Sequence, residues 1–296
     1  MKLGSKSLAL AAAATGALLA ASGSPALATS HVKRALVDTP QLTINASKGG
    51  TFDVTGPRTF SAGRVNITLH ADKGEQEAAI MRLHAGYTVA HLRRDFATYG
   101  RHQEDPTPQG MKALNRIVRR TTFYGGLDTG TGHNSATGSV VLNKVGTYYL
   151  LNDANGPGAS QAVKLHVTTK EGSRTAPTIA AVERATTAKR FRGPVNLPAQ
   201  GTIEFENAAS NSPHFMFLQH VKAGTTRKQV IKSFKSNGPG PELPGAVGTD
   251  VLFTGHAQTL TYNLPAGDYA QLCFFPDLKT GMPHAFMGMV RIVHLS

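Results

Sequence analysis

The chain has 296 residues, of which 40% are hydrophobic, 31 are lysine or arginine and 18 are aspartate or glutamate, and its formal net charge is +13. This length accommodates about two domains, and the apolar content is too high for a disordered chain. The basic residues fall in short clusters without interleaved aromatic side chains, which argues against a nucleic-acid-binding protein and favours a solvated basic face.

The N-terminal segment has the pattern of a secretory signal. Two lysines precede the apolar run 7–21, and a small-x-small cleavage motif ends at Ala28. The apolar run is too short for a transmembrane span, and no stop-transfer charge cluster follows it. We therefore expect residues 1–28 to be a signal peptide of an exported protein, cleaved after Ala28, and residues 29–40 to be a polar leader.

Short runs of alternating apolar and polar residues dominate the chain from Leu42 onward. Examples are residues 65–69 and 139–142, which are bounded by Gly, Pro, Asn and Asp, as β-strands commonly are. Two segments, residues 88–99 and 226–236, instead have apolar residues three and four apart behind a threonine suited to a helix N-cap. The pattern predicts an all-β protein with two short helices.

The second half of the chain repeats the pattern of the first. In each half a strand leads into an Ala-Gly pair and a helix, and a later hairpin strand begins at a glycine, Gly146 or Gly267. A repeat of about 120 residues has the size of a domain. We therefore expect two tandem Greek-key β-sandwich domains, residues 41–168 and 178–296, each with one short inserted helix, joined by a linker at 169–177.

Alignment of the two halves singles out two side chains of the second half that bind metals well. On the register of the hairpin glycines, Cys273 lies opposite Asn152, and on the register of the Ala-Gly pairs, His214 lies opposite Ala78 or Ala79. Cys273 is the only cysteine, so an exported chain cannot use it for an internal disulfide. It is a buried apolar residue, an intermolecular partner, or a reactive or metal-bound thiol, and the cysteine count leaves these alternatives open.

The C-terminal segment adds the remaining donors of a copper centre. Cys273 is followed after ten residues by His284, and Met289 comes after a further four residues, one of which is Met287. A thiolate, two imidazoles and a weak axial thioether suit both Cu(I) and Cu(II), so little rearrangement accompanies electron transfer. His214 supplies the second imidazole from a distant strand.

These motifs resemble the cupredoxin family. The first histidine follows an Asn-Ser-Pro turn, a tyrosine precedes the cysteine by four residues, and a Cys-loop-His-loop-Met segment leads into the last strand. The long Cys-to-His loop is more similar to copper nitrite reductases than to plastocyanin-like or azurin-like members. The resemblance implies one type 1 copper per chain, bound by His214, Cys273, His284 and Met289, with Met287 as the alternative axial ligand.

Two departures from the family pattern limit what the resemblance implies. Phe215 stands where cupredoxins often have an asparagine that braces the cysteine loop, so this support must come from elsewhere. Leu272 precedes the cysteine and no His-x-His pair occurs, so the markers of a second copper site or a trinuclear cluster are missing. The resemblance therefore implies an electron carrier or copper binder more than a self-contained copper enzyme.

Other side chains near the motif have supporting roles in this hypothesis. Four apolar neighbours are expected to form a docking patch over the His284 edge: Met282, Pro283, Ala285 and Phe286. His220 and His256 are interpreted as structural or surface residues, since His220 lies too far along its strand from His214 to share a metal, at about 3.3 Å per residue.

The expected function is single-electron transfer between this exported protein and an extracellular redox protein. Two alternatives remain open: extracellular copper capture, with exchange to a copper donor or acceptor, and a metal-free structural or adhesion protein. A reductase with copper at a subunit interface is disfavoured, because Leu272 occupies the position of its marker histidine.

Overall fold

The computed structural model describes residues 39–47, 51–101, 106–152, 162–169, 175–236 and 240–296. The expected signal peptide, nearly all of the expected leader and residues 170–174 of the expected linker lie outside the described residues. No helix in the described part of the chain is long and apolar enough to cross a membrane.

Strands dominate both halves of the described chain. The strands of the first half are β1 (Gln41–Ser47), β2 (Thr51–Thr55), β3 (Thr59–Phe60), β4 (Gly63–Ala71), β5 (Glu77–Leu83), β6 (Thr121–Asp128), β7 (Ser135–Leu142), β8 (Gly146–Leu151) and β9 (Val163–Val167). The strands of the second half are β10 (Ala181–Ala185), β11 (Phe191–Arg192), β12 (Asn196–Leu197), β13 (Gln200–Asn207), β14 (Phe217–Val221), β15 (Glu242–Thr249), β16 (Ala257–Asn263), β17 (Gly267–Leu272) and β18 (Val290–Leu295). The helices are α1 (Val89–Gly100), α2 (Pro108–Arg120) and α3 (Arg227–Ser236).

The strands form two sheets around a common apolar core, and each sheet runs through both halves. One sheet has the order β11-β10-β13-β16-β7-β4-β1-β2, and the other has the order β12-β18-β17-β14-β15-β6-β5-β8-β9-β3. The halves join where β16 pairs with β7 and β15 pairs with β6. The expected all-β sandwich fold is confirmed, and the two repeats share continuous sheets.

Alternation of buried and exposed side chains explains how these strands pack. In β4, Val65, Ile67 and Leu69 are buried, while the residues between them are more exposed. Such a strand buries one face against the opposite sheet, which is the arrangement that period-two patterning predicts.

The first half contains a second helix, α2, that the sequence analysis does not predict. Thr107 caps it by accepting a hydrogen bond from the third helical N–H at 3.2 Å, and Pro108 occupies the first turn. Leu114 and Ile117 are buried three residues apart on its inner face. The expectation of one helix per half is therefore wrong for the first half, whereas α1 and α3 occupy the two expected segments.

Strand pairing fixes which residues of the two halves correspond. In the first half, Ala79 on β5 pairs with Leu151 on β8. In the second half, Phe217 on β14 pairs with Leu272 on β17 in the same way, so Ala79 corresponds to Phe217 and Leu151 to Leu272. The residues that follow β8 and β17 are Asn152 and Cys273, so their expected correspondence holds in the structure.

The counterpart of His214 is Gln76, and the expected Ala78 or Ala79 is wrong. Gln76 lies three residues before Ala79, as His214 lies three residues before the matching residue of β14. The expected match to Ala78 or Ala79 required a gap in the alignment between the two halves. The strand pairing shows no insertion or deletion at that point. Asn152 Nδ2 donates a hydrogen bond to Gln76 Oε1 at 2.7 Å, so the two counterparts touch in the first half as well.

A buried ion pair links the two sheets in the second half. Glu183 on β10 is fully buried and accepts a hydrogen bond from Arg291 on β18 at 2.5 Å. The same guanidinium group donates to Gln271 Oε1 on β17. The strand register places three buried apolar residues at the matching positions of the first half: Leu42, Leu150 and Val163.

Candidate metal centre

Three fully buried side chains from separate parts of the second half meet beside β14 and β17. His214 precedes β14, Cys273 follows β17, and His284 lies on the loop before β18. The two Nδ1 atoms are 3.1 Å apart, and Cys273 Sγ lies 3.6 Å from His214 Nδ1 and 3.8 Å from His284 Nδ1. Within the described residues, this is the one group of three or more histidine, cysteine or acidic side chains close enough to hold a metal ion.

The separations of these three atoms suit a single metal ion. A triangle with those sides has its centre about 2.0 Å from each corner, which matches a metal-imidazole distance and is slightly short of a metal-thiolate distance. A thiolate and two imidazoles in a trigonal arrangement are the donors that proteins offer to copper at electron-transfer sites. The residues present therefore fit a copper ion.

Hydrogen bonds around His214 fix the orientation of its ring. Its backbone N–H donates to Leu252 O at 3.1 Å, and Leu252 N–H donates back to His214 O at 2.7 Å. Ser212 Oγ lies 3.1 Å from Nε2, while Nδ1 faces Cys273. Asn207 holds this turn together, because its side-chain amide donates to Ser212 O at 3.0 Å and to Leu252 O at 2.8 Å. Outer hydrogen bonds of this kind orient metal-binding imidazoles.

Asn207 braces the turn that carries His214, and backbone groups of Phe215 and Phe275 contact the Cys273 thiol. Burial raises the pKa of the Cys273 thiol to about 12, and hydrogen bonds to the backbone of Phe215 and Phe275 oppose that rise. Because the thiolate is the form that binds metal, a metal must displace the thiol proton. Asn207 gives no functional signal in the sequence, because an asparagine at a strand end is typical of an ordinary turn.

Both imidazoles are held in the neutral form. Burial lowers the pKa of His214 to about 3, and the charges of His284 and Lys189 act in the same direction. Burial also lowers the pKa of His284 to about 4, with Lys189 assisting and Asp277 opposing. Neutral imidazole is the form that ligates metals, so neither ring has to lose a proton at neutral pH.

The two candidate axial methionines differ in burial. The Met289 side chain is fully buried in the same apolar cluster as Cys273, whereas Met287 is 37% exposed. Cys273 N–H donates to Met289 O at 3.3 Å, and Met289 N–H donates to His284 O at 2.9 Å. Burial and these backbone bonds favour Met289.

The loop between Cys273 and His284 is covered by α2 from the first half. Asn115 Nδ2 on α2 donates to Leu278 O at 3.0 Å. Gly281, at φ +73°, packs so closely that an added Cβ would lie 2.7 Å from Pro106. The helix that the sequence analysis misses therefore supports the loop that carries two of the candidate ligands.

The expected apolar docking patch over the His284 edge is wrong for one of its four residues, Ala285. Met282 is 44% exposed, but Ala285 and His284 are fully buried. Ala285 N–H donates to Cys273 O at 2.7 Å, which folds this part of the loop inward. His284 Nε2 is also buried, and it has no hydrogen-bond partner within the described residues.

The two remaining histidines singled out from the sequence lie outside the metal centre. His220 stacks on Tyr269 with ring centroids 4.7 Å apart, and His256 stacks on Tyr124 at 4.6 Å. These contacts with buried tyrosines agree with the interpretation of both histidines as structural residues.

Comparisons with known proteins give structural likenesses only. No family model and no curated protein matches the chain. A reduced auracyanin from Roseiflexus castenholzii is 18% identical over 39% of this chain and 94% of its own, with a TM-score of 0.28. The copper-containing nitrite reductase of Thermus scotoductus is 13% identical over 88% of this chain and 62% of its own, with a TM-score of 0.22. The copper nitrite reductase of Nitrosomonas europaea is 12% identical over 88% and 94%, with a TM-score of 0.23. At such TM-scores these likenesses add no weight to the geometry of the site.

Proposed function

We propose that this cupredoxin-like protein binds one copper ion per chain through His214, Cys273, His284 and Met289 and transfers single electrons. The observation that carries the proposal is the buried triangle of one sulfur and two imidazole nitrogens, with sides of 3.1, 3.6 and 3.8 Å. When bound to such donors, copper supplies a one-electron couple with little change of geometry between its two oxidation states.

The protein's own contribution is to hold these donors fixed and dry. All four side chains are fully buried, so none of them faces solvent. Catalytic metal sites keep an open position for water or substrate, and this burial therefore supports an electron carrier over an enzyme. Location outside the cytoplasm is part of the proposal, supported by the signal-like pattern of residues 1–28.

Titration with Cu(II) tests the proposal directly. We expect saturation at one ion per chain and an intense visible absorption from charge transfer between the Cys273 thiolate and copper. One ion is expected because the Asn152–Gln76 hydrogen bond of 2.7 Å occupies the corresponding position in the first half. The measurement is the visible spectrum together with metal analysis of the full-length protein after removal of unbound copper.

Three outcomes of that titration would change the assignment. A folded, reduced protein that stays colourless with copper would contradict a thiolate-copper centre. Two tightly bound ions per chain would contradict the metal-free first half. A coloured protein that does not cycle reversibly between Cu(I) and Cu(II) would favour copper capture and delivery instead of electron transfer.

The axial ligand is tested by a pair of leucine substitutions. We expect Met289→Leu to keep copper and colour but shift the reduction potential, because it removes a weak axial donor. Met287→Leu is the matched control, since Met287 is 37% exposed and its replacement changes little in the interior. Each volume-conserving swap costs less than about 1.5 kcal/mol of stability. Voltammetry of both variants decides, and a shift confined to Met287→Leu would reassign the axial ligand.

A further inference from the structure

A basic helix lies beside the loop that carries the candidate ligands. Four of the ten residues of α3 are cationic and none is acidic: Arg227, Lys228, Lys232 and Lys235. These four side chains and Ile231 line an open surface depression of about 600 Å³. Glu242, an acid that reaches α3, contacts Ser233 Oγ at 2.8 Å.

Aromatic contacts connect this helix to Cys273. Phe274, the next residue in the chain, packs edge-to-face against Phe234 of α3 with ring centroids 4.9 Å apart. It makes a similar contact with Phe286 at 6.4 Å. Lys235 Nζ lies 5.8 Å from the centre of the Phe286 ring. A short chain of aromatic rings therefore leads from the candidate copper ligand to the helix.

Two arginines extend the positive charge over the ligand loop. An added Cβ at Gly288 would collide with Arg227 Nη2 and lie 2.9 Å from Arg190 Nη1, so both guanidinium groups meet above the loop. Arg190 Nη1 donates to Lys189 O at 2.9 Å and to Met287 O at 3.4 Å. Within the described residues, neither arginine forms an ion pair with a carboxylate. We call Arg190 and the four cationic residues of α3 the basic face.

We propose that the basic face is the docking surface for an acidic redox protein. The inference rests on the proposed electron-transfer function. Five cations on one face leave a positive field over the ligand loop, and such a field attracts and orients a partner with clustered carboxylates. Ile231 and the partly exposed Met287 supply apolar contact inside a charged rim, as in transient protein interfaces.

The step at this surface is a simple electron exchange. A copper ion held by His214, Cys273, His284 and Met289 would supply one electron to the oxidised metal of the partner, or accept one from its reduced metal. Cys273 and the neighbouring ring of Phe274 would then lie between the ion and the partner docked at α3. No covalent bond forms or breaks and no proton moves, so a partner with a one-electron metal centre completes the balance.

Two soluble c-type cytochromes, one acidic and one basic, serve as probes with the full-length protein. Calorimetric titration of the copper-free protein measures docking, and stopped-flow absorbance of the copper-loaded protein measures electron exchange. We expect the acidic cytochrome to bind at low ionic strength and to react about 10- to 1,000-fold faster than the basic one. Added salt should remove most of that difference, because it screens surface charges.

Charge reversal on the helix locates the docking surface. The variant Lys228→Glu/Lys232→Glu should lose about tenfold or more in affinity and rate with the acidic cytochrome, because it reverses two charges of the basic face. Lys73→Glu/Lys164→Glu makes the same change in net charge at exposed positions of the first half and is the matched control. Neither pair belongs to the metal centre, so both variants should keep the visible spectrum.

The same measurements can overturn the inference. Equal losses in the two variants would show that net charge alone governs binding. An acidic cytochrome that binds no better than the basic one would also refute the docking surface. If only the helix variant lost binding to a single-stranded oligonucleotide while cytochrome binding was unchanged, the basic face would belong to nucleic acid. A colourless copper-treated protein whose copper-free form still docks through α3 would support the surface and refute the proposed function.

Discussion

Replacing Arg291 with leucine is expected to lower the free energy of unfolding of the copper-free protein by about 3–5 kcal/mol at pH 8. The substitution leaves the Glu183 carboxylate buried without the guanidinium group that now lies 2.5 Å away. Taking an unpaired charge out of water costs several kcal/mol. Removing one partner of a buried ion pair therefore destabilises the protein more than replacing both partners with apolar residues. Urea denaturation at fixed pH measures the loss.

The loss should be smaller at pH 5 than at pH 8. Burial raises the pKa of Glu183 to about 7, against the opposing effects of Arg291 and Gln271. A folded-state pKa above the unfolded value of 4.5 means that the native protein binds the proton more tightly, so this group's contribution to stability falls as pH rises from about 4.5 to 7. Without Arg291 the Glu183 carboxyl stays protonated to higher pH. At pH 5, close to the unfolded value of 4.5, keeping this carboxyl protonated costs little free energy, so the substitution destabilises the protein less.

The first half of the chain provides the control for this experiment. The triple variant Glu183→Leu/Gln271→Leu/Arg291→Val installs the apolar residues of the corresponding positions. Because a buried ion pair is often no more stabilising than well-packed apolar residues, we expect this variant to recover most of the lost stability. An Arg291→Leu loss that is the same at both pH values would show that Glu183 does not carry the effect.

Replacing Cys273 with serine is expected to abolish the visible absorption and to weaken copper binding by more than about 100-fold. This loss exceeds the roughly 10- to 100-fold that is typical when a residue that only hydrogen-bonds a metal ligand is removed. A serine hydroxyl does not ionise at neutral pH and cannot replace the thiolate. The protein should stay folded, since the backbone groups of Phe215 and Phe275 that contact the sulfur can also bond a hydroxyl. Chelator competition and circular dichroism measure the two effects.

The matched control for that substitution is Ser212→Ala. It removes the 3.1 Å contact between Ser212 Oγ and His214 Nε2 but leaves every candidate ligand in place. We expect it to weaken copper binding by about 10- to 100-fold while keeping the visible absorption. A visible band that survives in Cys273→Ser would show that another group supplies the charge transfer.

Local sequence patterns predict the donors of the metal centre, because these donors lie in short, recognisable segments. Cys273, His284 and Met289 fall within one loop and its flanks, and His214 follows a marked turn. The burial of His284 has no such signal, since it depends on how the loop folds onto Cys273 and is covered by α2. The buried position of Ala285, an expected residue of the docking patch, depends on the same folding of the loop.

Other features depend on contacts between distant segments and leave no local trace. The buried pair of Glu183 and Arg291 joins strands more than a hundred positions apart in the sequence. A charged residue in an alternating strand usually faces solvent, so the sequence pattern alone would place Glu183 outside. The joining of β15 to β6 likewise depends on strand edges meeting, and alternation within each strand does not specify it.

Because both sheets run through the two halves, we expect the molecule to unfold as one cooperative unit. Melting of the second half would remove β15 from β6 and β16 from β7, leaving each paired on one side only, with β5 and β4. Each sheet of the first half would then expose a new unpaired strand edge, which is unfavourable in water. A ligand that binds only the native state raises the free energy of unfolding. If the ligand is released only when the whole unit unfolds, this increase applies to every strand of that unit. Copper held in the second half would therefore slow amide hydrogen exchange in β1 and β8, in strands that never touch the metal.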